Sequence, residues 1–424
     1  MRNYLRRVID DELDEFQPRL AATHIYGAKG VGKTATARQR AASALSLDQA
    51  RDRELFEADP ELIETQPAPL LIDEWQRQPE VWDRIRQSVD AGVQDGQYII
   101  AGSASPPRGA QVHSGARRVV SFMMRPLSLA ERGLAEPTVS LGAMLAGGAK
   151  ATGRTKLKLA DYVDEITASG FPAIRPQPER IRGRLLDSYI SNVVKREFPE
   201  QGYPVRKPAA LLQWMAAYAA ATANTTSYNR ILDAAMPAVS DKPSKPAAIA
   251  YRQVLSRLWQ LDPVEAWSPS EARIERLTWA PKHYLADPAL AARLLKVDAA
   301  ALLRGSQGAR SHLRTGNLLG ALFEHLVALS VKTYAQANDA EVRHLRTHGG
   351  QHEVDLVVEG SAAGVVALDV KLTATPTADD VKQLLWLRDR LGDDFADGAV
   401  ITTGSQAYRR KDGIAVVPAA LLGP

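Results

Sequence analysis

The chain has 424 residues, 45% hydrophobic and 24% charged, with no cysteine and a net charge of +4. This composition excludes a disulfide scaffold, thiolate metal sites and a largely disordered chain, and the length predicts roughly two to four domains. No run of about 18 apolar residues occurs and the start lacks a signal-peptide core, so a cytoplasmic protein with no membrane partner is expected.

From Tyr4 to Phe16, apolar side chains at Leu5, Val8, Ile9, Leu13 and Phe16 have helical spacing. Thr23 to Tyr26 reads as a short strand, and Gly27-Ala28-Lys29-Gly30-Val31-Gly32-Lys33-Thr34 follows it. That octet fits G-x-x-x-x-G-K-[ST], the P-loop. Glycines at 27, 30 and 32 let the backbone approach a phosphate chain, whose charge suits a row of N–H groups at a helix N-terminus. Gly27, Gly30, Val31, Gly32, Lys33, Thr34 and Ala35 are therefore the expected ATP contacts. Lys33 reaches the β- and γ-phosphates in this scheme, and Thr34 places its hydroxyl on Mg²⁺. The Ala-rich run from Ala35 to Leu47 predicts one helix.

A second apolar strand, from Pro69, ends in Asp73-Glu74. Asp73 is the candidate Mg²⁺ holder, through water, and Glu74 the group that polarises water attacking the γ-phosphate. A third strand from Tyr98 to Ser105 ends in small polar residues, and in a parallel sheet its Ser103 lies near the P-loop and can orient that water. Past Gly115-Ala116-Arg117, Arg118 is a candidate finger for the γ-phosphate; a surface arginine paired with an acid is the other reading.

The order of these motifs resembles the prokaryotic AAA+ ATPases that carry a winged helix and a C-terminal PD-(D/E)xK, restriction-endonuclease-like domain. The resemblance rests on Gly32-Lys33-Thr34, Asp73-Glu74-Trp75-Gln76, Gly102-Ser103, Arg118 and Arg125-Pro126-Leu127-Ser128. Ala101 stands where the family usually has Thr, and Arg117 where it usually has Gly; neither change touches the ATP chemistry.

Residues from Gly142 to Gly153 read as a Gly/Ala-rich linker. Beyond it, Ala168 to Pro172 and Tyr189 to Glu197 are similar to the family's helical lid, and Leu211 to Ala223 reads as an apolar core helix. Tyr228 to Leu232 and Pro246 to Trp259 predict two helices joined by the Lys/Pro-rich stretch 241–246. The family has a winged helix here, and Trp279 to Asp287 resembles its following strand. Between Arg154 and Lys207 there are eleven Lys/Arg against seven Asp/Glu, an excess equal to the whole chain's. Such a segment suits either a polyanion such as DNA or a solvated helical face.

In the last part, a helix from Gly316 to Tyr334 presents Glu324, and two strands carry Asp355 and then Asp369 and Lys371. Asp369 and Lys371 share a face because strand side chains alternate. This is the PD-(D/E)xK constellation, with Asp369 where Glu is more usual. It implies that Asp355 and Asp369 hold Mg²⁺ or Mn²⁺, with Glu324 nearby and Lys371 on the hydrolytic water. His344, His348 and His352 are spaced by four, but Gly349-Gly350 breaks any helix that could make them one metal face.

The expected fold class is α/β: a P-loop AAA+ domain with a parallel sheet over 1–135, a helical lid over 154–225, a winged-helix-like domain over 226–300 and a nuclease-like α/β domain over 308–424. The expected function is an oligomeric ATPase that couples turnover to engagement, with metal-dependent cleavage, of DNA. The alternative is a nucleotide-switched scaffold whose last domain only binds.

Overall fold

A computed structural model of the protein describes residues 4–104, 118–235, 244–267, 280–307, 315–347, 349–360 and 364–424. Ser105, Gly115 to Arg117, residues 241–243, Trp279 and His348 lie outside the described residues, as does part of the expected winged helix.

Five strands form the first sheet: β1 (Ala22–Tyr26), β2 (Ser43–Ser46), β3 (Leu70–Asp73), β4 (Tyr98–Gly102) and β5 (Val119–Met123). All pair in parallel, in the order β2-β3-β4-β1-β5. Every residue of β3 and β4 is buried, as expected of parallel strands covered on both faces. Registers of Tyr26 with Gly102 and Asp73 with Ala101 bring the carboxyl ends of β1, β3 and β4 to one rim.

The single helix expected from Ala35 to Leu47 is instead a short helix, Lys33–Arg38, followed by β2. Tertiary pairing overrides the local alanine propensity here. The amide of Ala42 donates to the Pro69 carbonyl and that of Leu47 to the Asp73 carbonyl, both at 2.9 Å, and Leu45 and Leu47 are buried. The expected linker from Gly142 also contains structure. Ser140 caps a helix, Leu141–Leu145, by accepting from Ala143 N at 3.1 Å, and Met144 and Leu145 are buried. Just before it, β6 (Val139–Ser140) pairs in parallel with the chain's last strand, Leu422–Gly423.

The middle of the chain is helical: Leu159–Ala168, Glu179–Asn192, Pro208–Ala220, Tyr228–Ala234 and Lys245–Arg257, with a π-helical stretch, Val193–Glu197. Trp214, Tyr218, Phe198 and Tyr251 fill its interior. The chain then runs out through 261–266 and returns through 282–285, the two passes bridging antiparallel at Val264 with Lys282 and Leu261 with Leu285.

The second sheet contains β7 (Ala340–Arg346), β8 (Glu353–Gly360), β9 (Val365–Val370), β10 (Phe395–Thr402), β11 (Tyr408–Arg409) and β12 (Ala415–Pro418), in the order β11-β12-β10-β9-β8-β7. β7, β8 and β9 form an antiparallel meander, while β9, β10 and β12 are parallel. Leu356, Leu368 and Ile401 pack in the cluster that holds helix Thr315–Gln336; Val357, Ala367 and Val400 pack with helix Ala378–Leu391. Alternation along each strand serves both faces. Among the described residues, one segment, Leu318–Gln336, is long and apolar enough to cross a membrane, and 67% of it is buried inside the protein.

A continuous apolar cluster joins the parts, from Ile25 and Phe122 through Tyr162 and Trp214 to Leu322 and Leu368. A partly buried charge cluster reinforces it. Arg125, after β5, donates to Asp262 at 2.8 Å, and Lys332 of the long C-terminal helix donates to the Pro263 carbonyl at 3.0 Å and to Asp262.

Candidate nucleotide site and carboxylate cluster

The loop between β1 and helix Lys33–Arg38 turns on left-handed glycines. At Gly27, with φ +144°, a Cβ would meet the Met124 carbonyl oxygen at 2.2 Å, and Gly32 has φ +111°. No side chain fits at Gly27 without moving backbone. Lys33 is buried, and its Nζ donates to the carbonyls of Gly27 and Ala28 at 2.9 and 3.0 Å. Burial pushes its ammonium down to about 8, against the pull of Glu74 and Asp73.

Across the rim, Thr34 Oγ1 donates to both Asp73 oxygens, at 2.9 and 3.0 Å. Burial raises the Asp73 carboxyl above its ordinary range. A hydroxyl and a carboxylate at hydrogen-bond distance is a donor set that suits Mg²⁺, which commonly takes few protein oxygens and completes its shell with phosphate and water.

Glu74 follows β3 in the left-handed region at φ 54°, uncommon for a residue with a side chain. Its Oε2 accepts from Ser103 Oγ at 2.9 Å and from Gln76 Nε2, which also donates to Ser103 at 3.2 Å. Trp75 Nε1 donates to His24 Nε2 of β1 at 3.2 Å, which fixes the turn behind Glu74. Burial holds His24 down to about 3, so it stays a neutral acceptor. Glu74, Gln76 and Ser103 line a small cavity closed by Lys29, Glu197 and Leu258.

A larger cleft of 1190 Å³ opens on the opposite flank of the loop, where Gly32, Ala35 and Thr36 meet Tyr4, Arg7, Pro172 and Arg175. Arg7 is buried and donates to the Val31 carbonyl at 2.9 Å, the Arg125 carbonyl at 2.8 Å and Glu131 at 2.8 Å. Gly27, Gly30, Val31, Gly32, Lys33, Thr34, Ala35, Asp73, Glu74 and Ser103 thus gather at one rim.

Arg118 does not join them. It precedes β5, whose start pairs with Ala22, so it lies at the sheet's amino-terminal edge, with the P-loop beyond Tyr26 at the other. Five strand residues separate these edges, about 16 Å at the usual rise, and Arg118 forms an ion pair with Asp90. In this structure Arg118 does not reach its own chain's nucleotide rim. Arg125 is likewise committed, to Asp262.

In the second sheet, the Asp355 amide donates to Asp369 Oδ1 at 3.2 Å, and the Val370 amide to Asp355 Oδ2 at 2.9 Å. Lys371 Nζ lies 4.0 Å from Asp355 Oδ2. On the Glu324 side of Asp355 stands a cation that sequence reasoning did not single out. Lys282 Nζ lies 2.8 Å from Asp355 Oδ1, 3.0 Å from Glu324 Oε1 and 3.3 Å from Glu353 Oε1. Tyr284 Oη also donates to Glu324 Oε1, at 2.6 Å.

Burial opposes charge on Lys282, but Asp355 and Glu324 outweigh it and hold the ammonium well above its ordinary range. Asp355 is held low despite burial, by Lys282 and then Lys371. Burial, and then the Asp355 charge, push both Glu324 and Asp369 up to about 7. Among the described residues, no group of three His, Asp or Glu side chains is disposed to hold a metal. Asp355, Asp369, Glu324 and Lys371, expected to serve Mg²⁺ or Mn²⁺, do lie together, but the Lys282 ammonium already pairs with Asp355 and Glu324.

The histidines go separate ways. His344 is buried on β7 beside the Ala280 carbonyl, at 2.9 Å, while His352 stacks on Trp386 with ring centroids 3.9 Å apart. Arg7, His24 and Lys282 carried no motif. Each is placed by contacts with residues 24 to 124 positions away, and no local spacing encodes such pairs.

Residues 21–132 match an AAA domain. Residues 159–301 and 319–422 match two domains of unknown function, DUF8612 and DUF4143. No curated protein matches the chain. The first part of the chain is an AAA-type, nucleotide-binding P-loop domain, built on the parallel sheet whose rim carries Lys33, Asp73 and Glu74.

Proposed function

We propose that the protein is an ATPase whose nucleotide cycle acts on the helical and C-terminal parts packed against the AAA domain. The observation that carries this reading is the rim itself: Lys33, Thr34, Asp73, Glu74 and Ser103 converge from three strands. Mg²⁺ held by Thr34 and Asp73 would supply positive charge to the phosphates. Lys33 exchanges two neutral carbonyls for phosphate oxygens, a gain because charge-assisted hydrogen bonds are the stronger kind. Glu74, fixed by Ser103 and Gln76, holds the attacking water. The base takes the cleft beside Tyr4 and Arg7, where the lid residues Pro172 and Arg175 close over it. Since Arg118 lies at the sheet's other edge, a finger role places it on a neighbouring copy and makes the active form a homo-oligomer.

The test is phosphate release with Mg²⁺ and ATP. The parent hydrolyses; Lys33→Ala neither binds nor hydrolyses; Glu74→Gln binds ATP and turns over roughly 10²–10⁴-fold more slowly, the usual worth of a positioned acid–base group. Equal turnover by Glu74→Gln and the parent overturns the assignment.

The C-terminal part fits a binding role better than a cutting one, because Lys282 fills the acidic cluster. DNA is the partner suggested by exposed Arg180, Arg184, Lys195, Arg196 and Arg206 in the basic segment. Binding to duplex DNA should then weaken with salt, by about 0.9 in log–log slope for each phosphate neutralised. Salt-independent binding, or none, removes DNA from the reading and leaves a protein partner.

A further inference from the structure

We propose that Lys282 is a built-in cation that closes the C-terminal carboxylate cluster to divalent metals. Its side chain is 1% exposed, yet it carries a charge into the interior. Three carboxylates meet that charge: Glu324 from helix Thr315–Gln336, and Glu353 and Asp355 from one face of β8. The ammonium donates hydrogen bonds to Asp355 and Glu324, and Glu353 completes the set as an ion pair at 3.3 Å. Carboxylate oxygens are also the ligands that hard divalent cations take, and with Lys282 among them no group of three is disposed to hold a metal among the described residues. Lysine and metal therefore compete for the same oxygens.

Where Lys282 comes from matters as much as where it goes. Its backbone is not part of the second sheet. It sits on the returning pass, where the Lys282 amide donates to the Val264 carbonyl at 2.9 Å and the Val264 amide to the Lys282 carbonyl at 3.0 Å. The outgoing pass touches the sheet at Ala266, which bridges His344 of β7. The plug thus rides on a narrow ribbon anchored in the helical region. Withdrawing it breaks that ribbon's contacts and leaves the β7–β12 ladder whole.

The ribbon is also tied to the nucleotide loop. Gln260 Nε2 donates to Tyr189 Oη at 2.9 Å, and Tyr189 Oη donates to the Lys29 carbonyl at 3.1 Å. On the far side, the Ala286 amide donates to the Gln260 carbonyl at 2.9 Å. The closure itself needs no nucleotide, so its failure and the failure of the ATPase reading are separate results.

The test is Mn²⁺ uptake by the nucleotide-free full chain, read from the loss of the free-ion electron spin resonance signal. Lys282→Met keeps the length of the side chain and removes the charge. It should bind Mn²⁺ more tightly than the parent by ~10-fold or more, about 1.4 kcal/mol, and adding Asp355→Asn should abolish the gain. Uptake by the parent that matches Lys282→Met and depends on Asp355 overturns the closure. So does a folded Lys282→Met that takes up no Mn²⁺ at the cluster. Should Lys282→Met not fold, the parent still decides: after brief acetylation and peptide mass spectrometry, Lys282 should stay unmodified while exposed Lys156 and Lys411 react. Modification of Lys282 at the rate of those two overturns it.

Discussion

Two buried lysines, Lys33 and Lys282, sit beside acidic residues at two separate sites of this molecule and do opposite things. Lys33 rests on two backbone carbonyls, and burial lowers its hold on the proton to about 8. Lys282 rests on three carboxylates that raise its hold instead. The first lysine is under-neutralised and gains by meeting phosphate. The second is fully neutralised, and whatever displaces it must bring positive charge of its own. Burial costs both equally in kind; the partner's charge decides whether the lysine waits for a ligand or replaces one.

The comparison breaks most visibly in stability. Removing one partner of a buried charged cluster typically costs about 3–5 kcal/mol, so Lys282→Met should lower the denaturation midpoint strongly, and Mn²⁺ should restore part of it. Lys33→Ala, which leaves only carbonyls behind, should change the midpoint little while abolishing nucleotide binding. Comparable midpoints for the two variants would erase the distinction.

The next largest effect is in pH. Glu324 and Asp369 are held up to about 7 in the folded chain, above the ordinary carboxyl values of 4.5 and 3.8. Between those ordinary values and about pH 7 the folded state binds more protons than the unfolded one. Their contribution to stability is therefore fully present at the acid end and is lost as pH rises toward about 7. Asp355, held low, contributes the reverse, but only below its ordinary value of 3.8. Asp369→Asn should flatten the parent's pH dependence between about 4 and 7, measured by urea denaturation. An unchanged slope would mean that Asp369 titrates normally.

The smallest expected effect concerns Arg118, whose exposed pair with Asp90 is worth little to the fold. Arg118→Ala should leave the midpoint unchanged and lower ATP turnover only where copies associate. Mixing it with Lys33→Ala should restore some turnover, because a site with one intact contribution from each copy can form. Full activity of Arg118→Ala alone would leave the arginine without a part in hydrolysis.

The nucleotide rim was legible in the sequence because its chemistry is local. Gly27, Gly32, Lys33 and Thr34 are neighbours whose spacing is dictated by one turn, and Asp73-Glu74 and Ser103 each follow a fully apolar strand. A parallel sheet brings the carboxyl ends of such strands together. Local signals were weaker where the sheet needed a strand: alanines near position 41 favoured a helix, yet β2 forms because β3 offers it an edge.

The sequence by itself determined β1, β3 and β4 of the first sheet with their ligand-facing ends, and placed Asp355 and Asp369 on adjacent strands with Lys371 just past the second. Only the tertiary structure decided which end of the sheet Arg118 occupies, and what lies between Glu324 and Asp355. Both turn on contacts between residues far apart in the chain: Arg118 with Asp90, and Lys282 with Asp355, 73 positions away. Spacing along a strand or helix reports neighbours within a turn or two. The charge that fills a buried cluster can come from anywhere, and here it comes from a ribbon outside the sheet that the cluster belongs to.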